Sequence, residues 1–315
     1  MSRHLILGAG GIGRSVAMSL AAAGEDVVLA SRSGRDAHVA GVSALALDVT
    51  DRDALRSAAT GAATLVNALN PSLYYRWQKQ WPPMADSILD ASEGTRLVTV
   101  SNLYLYGRVD APMTEETTVA PNGAKGRVRA RMFEDAMARH KAGRVRAVEV
   151  RASDYLGPHT LASSFGSGMV LPPLLAGKTP RPPMGVADAP HSWTLDLDVA
   201  ALIAALILRD DADDWGRAWH VPTDEPATLA ELAELAAGIA GVDSIAPRPL
   251  PRAVVTVGGL VVPILHALWE TRHQFERPFV LDSSAAQARF GLAPTPLRRG
   301  LELTVEALRR EAGAH

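Results

Sequence analysis

Residues 3–14 read Arg-His-Leu-Ile-Leu-Gly-Ala-Gly-Gly-Ile-Gly-Arg, and this stretch decides the fold. The apolar run comes first, and a G-x-G-x-x-G turn at Gly8, Gly10 and Gly13 leads directly into a helical pattern. A strand, a glycine turn and a helix in this order are what a dinucleotide-binding site requires. Gly8 allows the tight turn, Gly10 leaves room for a pyrophosphate, and Gly13 lets the helix pack closely on the strand.

The start of this helix adds electrostatic support for the phosphates. Free backbone N–H groups and a partial positive charge lie at a helix N-terminus. Gly11 and Ile12 are therefore predicted to bind the cofactor together with the three motif glycines. A glycine turn alone can be purely structural, but the flanking strand and helix favour cofactor binding.

The end of the second strand indicates which dinucleotide binds. NAD-specific sites place a carboxylate there for the ribose 2′-hydroxyl, whereas an arginine accommodates a 2′-phosphate. Here the strand ends in Ser31-Arg32, and Asp26 lies at its opposite end. Ser31 and Arg32 are predicted to bind the cofactor, with Arg14 assisting, which favours NADP(H) over NAD(H). The alternative is that Arg32 and Arg14 are solvated surface residues.

Composition narrows the class of protein. The chain has 315 residues, 47% of them hydrophobic and 21% charged, with a net charge of −2. This balance allows a large core and favours neither a nucleic-acid nor a membrane partner. There is no cysteine, which excludes disulfides and thiolate chemistry and is compatible with the cytoplasmic location that we expect. The nine histidines form no metal-binding pattern, and a G-x-S-x-G hydrolase elbow is absent.

Alternating strand and helix patterns predict an α/β fold, a Rossmann-type doubly wound parallel sheet with a smaller C-terminal substrate-binding subdomain. The predicted strands are residues 3–8, 26–31, 43–47, 63–68, 96–101 and 145–151. The predicted helices are residues 12–23, 51–60 (capped by Asp51), 77–92, 126–142 and 196–208. The dinucleotide-binding domain is predicted to span residues 1–156, with 191–224 returning to it. Residues 157–190 and 225–315 are assigned to the subdomain, with two more helices in the latter range.

One apolar stretch, residues 253–269, raises the question of a membrane helix. It is shorter than the ~20 residues that a span needs, and it contains Gly258, Gly259 and Pro263. We therefore expect a buried segment or a pocket wall.

Several segments resemble the extended branch of the short-chain dehydrogenase/reductase family, the NAD(P)-dependent epimerase/dehydratase group. Leu47-Asp48-Val49 resembles the pair that contacts adenine, and Val66-Asn67-Ala68 resembles a strand that lines the cofactor. Residues 100–107, with Ser101, resemble the segment of the catalytic serine, and residues 150–158 resemble the stretch beside the nicotinamide. The resemblance implies cofactor contacts at Asp48, Val49, Asn67, Ala68 and Ser101.

The chain departs from this family at the catalytic triad of Ser, Tyr and Lys. Asn102 stands at the Ser position, Lys125 at the Tyr position and Arg129 at the Lys position. The resemblance thus implies an atypical member in which the acid–base chemistry is changed or lost. His191 stands where nucleotide-sugar members often carry an arginine, which weakens the case for such a substrate.

The replacements can still support chemistry. Asn102 can donate a hydrogen bond to a carbonyl oxygen, and Arg129 can hold ribose hydroxyls or a phosphate. Lys125, if desolvated, can act as acid or base and contact the cofactor, and Tyr104 is the other candidate proton donor. The alternatives are a solvated helix face for Lys125 and Arg129, a pocket wall for Tyr104, and a turn residue for Asn102.

Seven aromatic residues lie in segments that such a fold brings near the nicotinamide, and they predict an apolar pocket for a small organic substrate. They are Tyr74, Tyr75, Trp77, Tyr104, Tyr155, Phe165 and Trp193.

Three functions remain open. The first is an NADP(H)-dependent oxidoreductase acting on a carbonyl or alcohol of a small organic molecule. The second is an epimerase or dehydratase without net redox change, and the third is a non-catalytic NADP(H)-binding regulator. The resemblance also implies a homodimer through the helices at 77–92 and 126–142.

Overall fold

The computed structural model describes residues 1–35, 38–71 and 73–313. Its strands are β1 (Arg3–Leu7), β2 (Asp26–Ser31), β3 (Val42–Ala46), β4 (Thr64–Asn67), β5 (Arg96–Asn102), β6 (Arg146–Ala152), β7 (Asp154–Leu156), β8 (Trp193–Leu195) and β9 (Ala218–His220). Its helices are α1 (Gly11–Ala22), α2 (Arg52–Ala59), α3 (Trp77–Ala91), α4 (Ala124–Lys141), α5 (Leu171–Leu175), α6 (Asp196–Arg209), α7 (Leu229–Ala240), α8 (Arg252–Gly259), α9 (Pro263–Leu268), α10 (His273–Glu276), α11 (Ser284–Phe290) and α12 (Leu297–Gly313).

The main sheet has seven strands in the order β3-β2-β1-β4-β5-β6-β9, and every pairing is parallel. The order reverses between β1 and β4, and at such a switch point a doubly wound sheet opens a crevice at the carboxyl ends of its strands. β4 and β5 are buried along almost their whole length, because helices cover both of their faces. The predicted Rossmann-type fold is confirmed.

Helices on both faces of the sheet form its two cores. On one face, α1 and α6 pack through Val16, Leu20, Val199 and Ile203. On the other face, α2, α3 and α4 contribute Leu55, Ile88 and Ala136. Asp51 caps α2 as predicted, since its side chain accepts a hydrogen bond from the Ala54 N–H at 3.0 Å.

A third core lies outside the main sheet. Its residues include Leu156, Phe165, Trp193, Leu232 and Phe275, which come mostly from the segments assigned to the subdomain. β7 and β8 pair as a separate two-stranded sheet beside this core. The exact domain boundaries stay a prediction.

The structure corrects two expectations about residues 225–315. This range holds six helices, α7 to α12, in the part of it that the structure describes, instead of two. The apolar stretch at 253–269 forms α8 and α9 and is largely exposed, with Leu260 and Val261 80% and 81% accessible. The expectation of a buried segment is therefore wrong. No helix within the described ranges has the length and apolarity to cross a bilayer.

Candidate functional site

A cleft of about 740 Å³ runs along the carboxyl ends of β1, β2, β4, β5 and β6. It starts at the glycine turn, passes the end of β2, and ends among the side chains of Tyr74, Trp77, Tyr104 and Tyr155. The position matches the crevice expected at the switch point of the sheet.

The glycine turn has the geometry that its sequence predicts. Gly8 has a φ of +107°, a backbone conformation that favours glycine. A Cβ at Gly13 would lie 1.8 Å from the Gly8 carbonyl oxygen, so Gly13 serves the packing of α1 and does not itself line the cleft. A Cβ at Gly10 would meet nothing within 4 Å, which leaves open space where phosphates would approach the backbone. Gly11 and Ile12 line the same space.

The end of β2 contributes polar groups to the cleft. Ser31, Arg32, Asp48 and Val49 all line it, and Arg32 is exposed. Hydrogen bonds from the backbone and side chain of Thr50 lower the pKa of Asp48, and the charge of Arg32 adds to that effect. A carboxylate held in this way accepts hydrogen bonds from hydroxyls or amines of a ligand.

Besides Gly13, two more predicted cofactor residues, Arg14 and Asn67, do not line this cleft, and Lys125, described below, does not either. Arg14 is exposed on α1 and does not line it. Asn67 is buried, and its side-chain oxygen accepts a hydrogen bond from the Leu69 N–H at 3.3 Å, so it holds the turn after β4. Lys79 of α3, which sequence reasoning missed, does line the cleft.

Ala68 and Ser101 line the middle of the cleft, as predicted. The Ser101 hydroxyl is buried and has no hydrogen-bond partner in the described residues, and the same is true of Ser153 on the same wall. A buried hydroxyl without a partner is costly unless a ligand or water satisfies it. The open space at the glycine turn, lined by Gly8, Gly10, Gly11 and Ile12, is called the glycine cradle below. This cradle and the two hydroxyls fit a bound dinucleotide.

Asn102 and Tyr104 lie at the end of the cleft that contains Tyr74, Trp77 and Tyr155, which we call the catalytic end because the resemblance predicts the catalytic residues there. β5 ends at Asn102, and Tyr104 begins a short 3₁₀ turn, yet both side chains line the cleft. The Asn102 side-chain oxygen accepts a hydrogen bond from the Tyr104 N–H at 3.2 Å, which leaves its NH₂ group to donate. The hydroxyl of Tyr104 accepts a hydrogen bond from the Tyr74 hydroxyl at 3.2 Å. Burial raises the pKa of Tyr104 well above its ordinary value, and Tyr74 and Asp154 add to the shift.

Lys125 lies behind the cleft wall and not on it. Its Nζ donates to the Ala267 carbonyl oxygen at 2.8 Å and pairs with Glu270 Oε2 at 3.3 Å. The same Nζ lies 4.5 Å from the centre of the Tyr74 ring, which is itself part of the cleft wall. Burial lowers the pKa of Lys125, as predicted for a desolvated lysine, while Glu270 opposes that shift.

Glu270 is a residue that sequence reasoning missed. Its Oε1 accepts hydrogen bonds from the backbone N–H groups of Lys125 and Gly126, at 2.6 and 3.2 Å. It thus caps α4, whose own N-cap residue, Gly123, has no side chain to do so. A Cβ at Gly123 would lie 2.0 Å from Glu270 Cγ. The carboxylate therefore reaches α4 because residue 123 is a glycine.

Arg129 lines the cleft without a carboxylate partner in the described chain. Its guanidinium lies 5.0 and 4.7 Å from the rings of Trp77 and Trp81, and it donates to the Asn70 side-chain oxygen at 3.1 Å. Burial lowers the pKa of Arg129, and its Nε atom is buried without a hydrogen-bond partner among the described residues. A cation held by aromatic faces retains donors for an anionic or hydroxyl group of a ligand.

Asp154 and His191 form a pair that was not predicted. Asp154 lines the cleft, and its Oδ2 lies 3.0 Å from Nε2 of His191. The other ring nitrogen, Nδ1, lies 2.9 Å from the Gln274 carbonyl oxygen, which can only accept. Both ring nitrogens are therefore held by oxygen atoms, which fixes the orientation of His191 and brings it against a carboxylate of the cleft wall.

The aromatic prediction holds in part. Tyr74, Trp77, Tyr104 and Tyr155 line the cleft, joined by Phe279. Phe165 and Trp193 belong to the third core instead, and Tyr75 is 44% exposed away from the cleft. The described residues contain no group of three or more His, Asp or Glu placed to hold a metal ion.

Comparisons with known proteins agree with this geometry. Residues 4–77 match the family model described as the saccharopine dehydrogenase NADP binding domain. No curated protein matches the chain. The N-terminal part thus has a Rossmann topology, and its first strands and helices match a model of a nicotinamide-dinucleotide-binding domain.

Solved structures align over almost the whole chain. The dTDP-glucose 4,6-dehydratase from Bacillus anthracis str. Ames, in complex with NAD, has 17% identity and a TM-score of 0.79, covering 99% of this chain and 98% of that one. The UDP-glucuronic acid 4-epimerase from Bacillus cereus has 16% identity and a TM-score of 0.80, covering 98% and 99%. The UDP-glucose-4-epimerase from Stenotrophomonas maltophila, with bound NAD, has 18% identity and a TM-score of 0.79, covering 100% of both chains. The resemblance to the epimerase/dehydratase group is confirmed for the fold.

Proposed function

We propose that this protein is an NADP(H)-dependent oxidoreductase that acts on a carbonyl or alcohol group of a small organic molecule. The observation that carries the proposal is a single continuous cleft. One end has the glycine cradle and Arg32, and the other has Asn102, Tyr104 and Asp154 within an aromatic wall. A dinucleotide and a small substrate can therefore meet inside one cavity.

The cofactor half rests on the cradle and on the end of β2. Gly8, Gly10, Gly11 and Ile12 would hold the pyrophosphate, and Arg32 would hold a 2′-phosphate. The match to an NADP-binding family model supports the same preference. When bound, the nicotinamide would supply or accept the hydride.

The substrate half rests on hydrogen-bond donors. The Asn102 NH₂ group would polarise the substrate oxygen, as an amide does in an oxyanion hole. Tyr104 would donate a hydrogen bond to the same oxygen, since its hydroxyl accepts from Tyr74 and keeps its own hydrogen for a ligand. Lys125, which lies behind Tyr74, would position that ring and contribute positive charge, instead of transferring the proton itself.

The second proton source in this proposal is the Asp154–His191 pair. Asp154 has 22% of its side chain exposed and lines the cleft. Reduction of a carbonyl to an alcohol consumes one proton at the oxygen, and the 3.0 Å contact between His191 Nε2 and Asp154 Oδ2 would connect the buried ring to the cleft for that transfer. The rings of Phe275 and Trp193 pack against His191 and hold it in place.

Direct titration with NADPH and NADH, by calorimetry or nicotinamide fluorescence, tests the cofactor half. We expect tighter binding of NADPH, and a loss of about tenfold or more in NADPH affinity for Arg32→Ala, because a charge-assisted contact to the 2′-phosphate disappears. NADH affinity should stay unchanged. Arg35→Ala is the matched control, since Arg35 is exposed in the same loop but does not line the cleft.

The outcomes separate the remaining candidates. Binding of neither nucleotide would contradict the proposal. Binding followed by NADPH consumption with carbonyl compounds supports it. Turnover of a substrate without net NADPH consumption would favour an epimerase or dehydratase, the activity named for the structural relatives. Binding without turnover of any compound would favour a regulator. The contacts of Lys125 with Glu270 and of Arg129 with the Trp81 ring are compatible with that function.

We also propose that the protein is a homodimer through α3 and α4. An apolar groove of about 580 Å³ lies between these helices and includes Pro82, Ala85, Val128 and Met132. Closed two-fold dimers are the commonest oligomers, and a second copy of the same helices would fill such a groove.

A further inference from the structure

The exposed apolar surface of this protein is concentrated in one short segment, the α8–α9 hairpin (residues 252–269). Thirteen large hydrophobic side chains are exposed in the described chain, and seven of them lie within this hairpin. They are Val254, Val257, Leu260, Val261, Val262, Ile264 and Trp269. Scattered exposed hydrophobic residues are normal, but such a cluster marks an interaction site.

The hairpin projects its most apolar residues at its tip. Leu260 and Val261, in the turn between α8 and α9, are 80% and 81% exposed. Val255 and Ala267 are the buried residues of the hairpin and face the body of the protein. The tip is therefore convex, with consecutive aliphatic side chains pointing outward.

Aromatic and cationic groups surround the base of the hairpin. The Trp269 ring is 45% exposed, and the Arg272 guanidinium lies 4.1 Å from its centre. Arg252 and Arg272 share one carboxylate, that of Glu276, so one positive charge remains in excess. Between residues 248 and 277 the chain has four arginines and two glutamates, although the whole chain carries a net charge of −2.

We propose that the α8–α9 hairpin inserts its apolar tip into the surface of a lipid bilayer that contains anionic headgroups. The aliphatic tip fits the boundary of the acyl chains, Trp269 fits the interface, and the arginines fit the phosphate level. The protein then lies on the membrane and does not span it. This proposal differs from the expectation, drawn from net charge, that the protein has no membrane partner, and the experiment below decides between them.

A second copy of the chain fits this surface less well. Stable protein interfaces involve about 20–30 residues on each side. The hairpin offers seven exposed large apolar residues, which is a small patch by that measure. A bilayer accepts such a small patch because lipids rearrange around it.

The hairpin also touches the cleft from behind. The Ala267 carbonyl oxygen accepts the Lys125 bond at 2.8 Å, and Thr271, two residues beyond the hairpin, contacts the Tyr74 hydroxyl at 3.3 Å. Membrane contact would therefore bear directly on the wall of the candidate site.

Vesicle flotation with the purified full chain tests the proposal. The probes are vesicles of phosphatidylcholine alone and vesicles that also contain phosphatidylglycerol. We expect flotation with the anionic vesicles, weakened by salt, and a fall of at least tenfold in the partition coefficient for the double variant Leu260→Ser/Val261→Ser. The matched control is Leu208→Ser, which removes an exposed leucine from α6, outside the hairpin.

Circular dichroism and analytical ultracentrifugation of the same samples distinguish lost membrane binding from misfolding and from self-association. An unchanged spectrum shows that the double variant is folded. No flotation of the wild type with either vesicle, or equal flotation of wild type and double variant, would overturn the proposal. A smaller assembly state in the double variant would overturn it as well, because the patch would then be covered by a second copy.

Discussion

The polar side chains at the catalytic end differ in how readily each can give up a proton. Burial holds the pKa of Tyr104 well above its ordinary value, and burial lowers the pKa of Lys125 against the opposing charge of Glu270. A tyrosine with a raised pKa keeps its proton, so Tyr104 is suited to donate a hydrogen bond and gives up the proton less readily than an ordinary tyrosine does. Asp154 and His191 lie 3.0 Å apart at the same wall.

This difference predicts how single variants behave once a carbonyl substrate is in hand. Tyr104→Phe should lower kcat about 100-fold or more, because loss of one hydrogen-bond donor to the reacting oxygen typically costs that much. Asp154→Asn should also lower kcat, whereas Lys125→Met should cost less than either. Steady-state kinetics over pH make the measurement.

The control for these variants is Tyr75→Phe, whose ring is exposed and lies off the cleft. Unchanged kcat in both Tyr104→Phe and Asp154→Asn would refute this assignment of proton donors. NADPH affinity should stay within about twofold of wild type in every variant, since none of these side chains is assigned to the cofactor's phosphates.

At the level of elements, the turn between β1 and α1 combines two different demands on glycine. Gly13 is required by the fold, because any side chain there would strike the Gly8 carbonyl oxygen. Gly10 is required only by a ligand, because its neighbourhood is open. The same motif therefore contains one structural and one functional glycine.

These two positions give a paired prediction. Gly13→Ala should destabilise the protein by about 1–3 kcal/mol through overpacking, and it should weaken NADPH binding as a consequence. Gly10→Ala should leave stability within about 0.5 kcal/mol and still weaken NADPH binding at least tenfold. Urea denaturation and calorimetry measure the two quantities. Loss of stability in Gly10→Ala, or full binding in Gly13→Ala, would be incompatible with these roles.

The elements also show how far sequence reasoning reaches. The apolar runs predicted β1 to β6 closely, and the signal is most continuous in β4 and β5, which are buried on both faces. β9, with three residues, is too short to leave one. Glu270 was not predictable, since its partner Lys125 lies 145 residues away and no local pattern connects them. Residues 253–269 are mostly apolar. The sequence therefore shows that this segment is hydrophobic, but it does not show whether the rest of the chain covers it.

For the whole molecule, residue identity alone predicts which side chains stand at the triad positions of the resembled family, whereas it does not predict where the fold places each of them. Lys125 has the desolvated character that was expected, but the fold places it behind Tyr74. Arg14 lies on the helix predicted for it, but it is exposed on α1 and does not line the cleft. Periodicity gives the element on which a residue lies, and tertiary packing gives the cavity that it meets.

The proposed homodimer through α3 and α4 can be tested on the whole molecule. Sedimentation velocity should show a dimer, and Met132→Glu should convert it to a monomer, because a charge would be buried in the apolar groove between α3 and α4. Leu208→Glu, at an exposed position of α6, should leave the dimer intact. A monomeric wild type at all concentrations would rule out this interface.

The stability of the whole molecule should depend on pH in a defined direction. Burial lowers the pKa of His4, His220 and His273 below the ordinary value of 6.5. Below that value the unfolded chain takes up protons that the folded chain does not, so acid favours unfolding. Urea denaturation should give a lower free energy of unfolding at about pH 5 than at about pH 7.5.

A matched pair of variants isolates the histidine contribution. The free energy of unfolding should fall less steeply with decreasing pH in His273→Gln than in wild type. In His266→Gln it should fall as steeply as in wild type, since His266 is exposed. A free energy of unfolding that rises toward acid would contradict the assignment.

The long reach of Glu270 has a consequence for the order in which the molecule is made. The glycine turn, Arg32, Ala68 and Ser101 all lie in the first third of the chain, so the nucleotide half of the cleft is synthesised early. The first turn of α4 is completed by residues that are synthesised much later. Glu270 caps this turn, and the Ala267 carbonyl oxygen accepts a hydrogen bond from Lys125 Nζ. On the ribosome, where the chain emerges N-terminal end first, the residues of the nucleotide half are therefore available before those that complete the wall at Lys125. The hydrogen bonds of Glu270 can form only when most of the chain has been made.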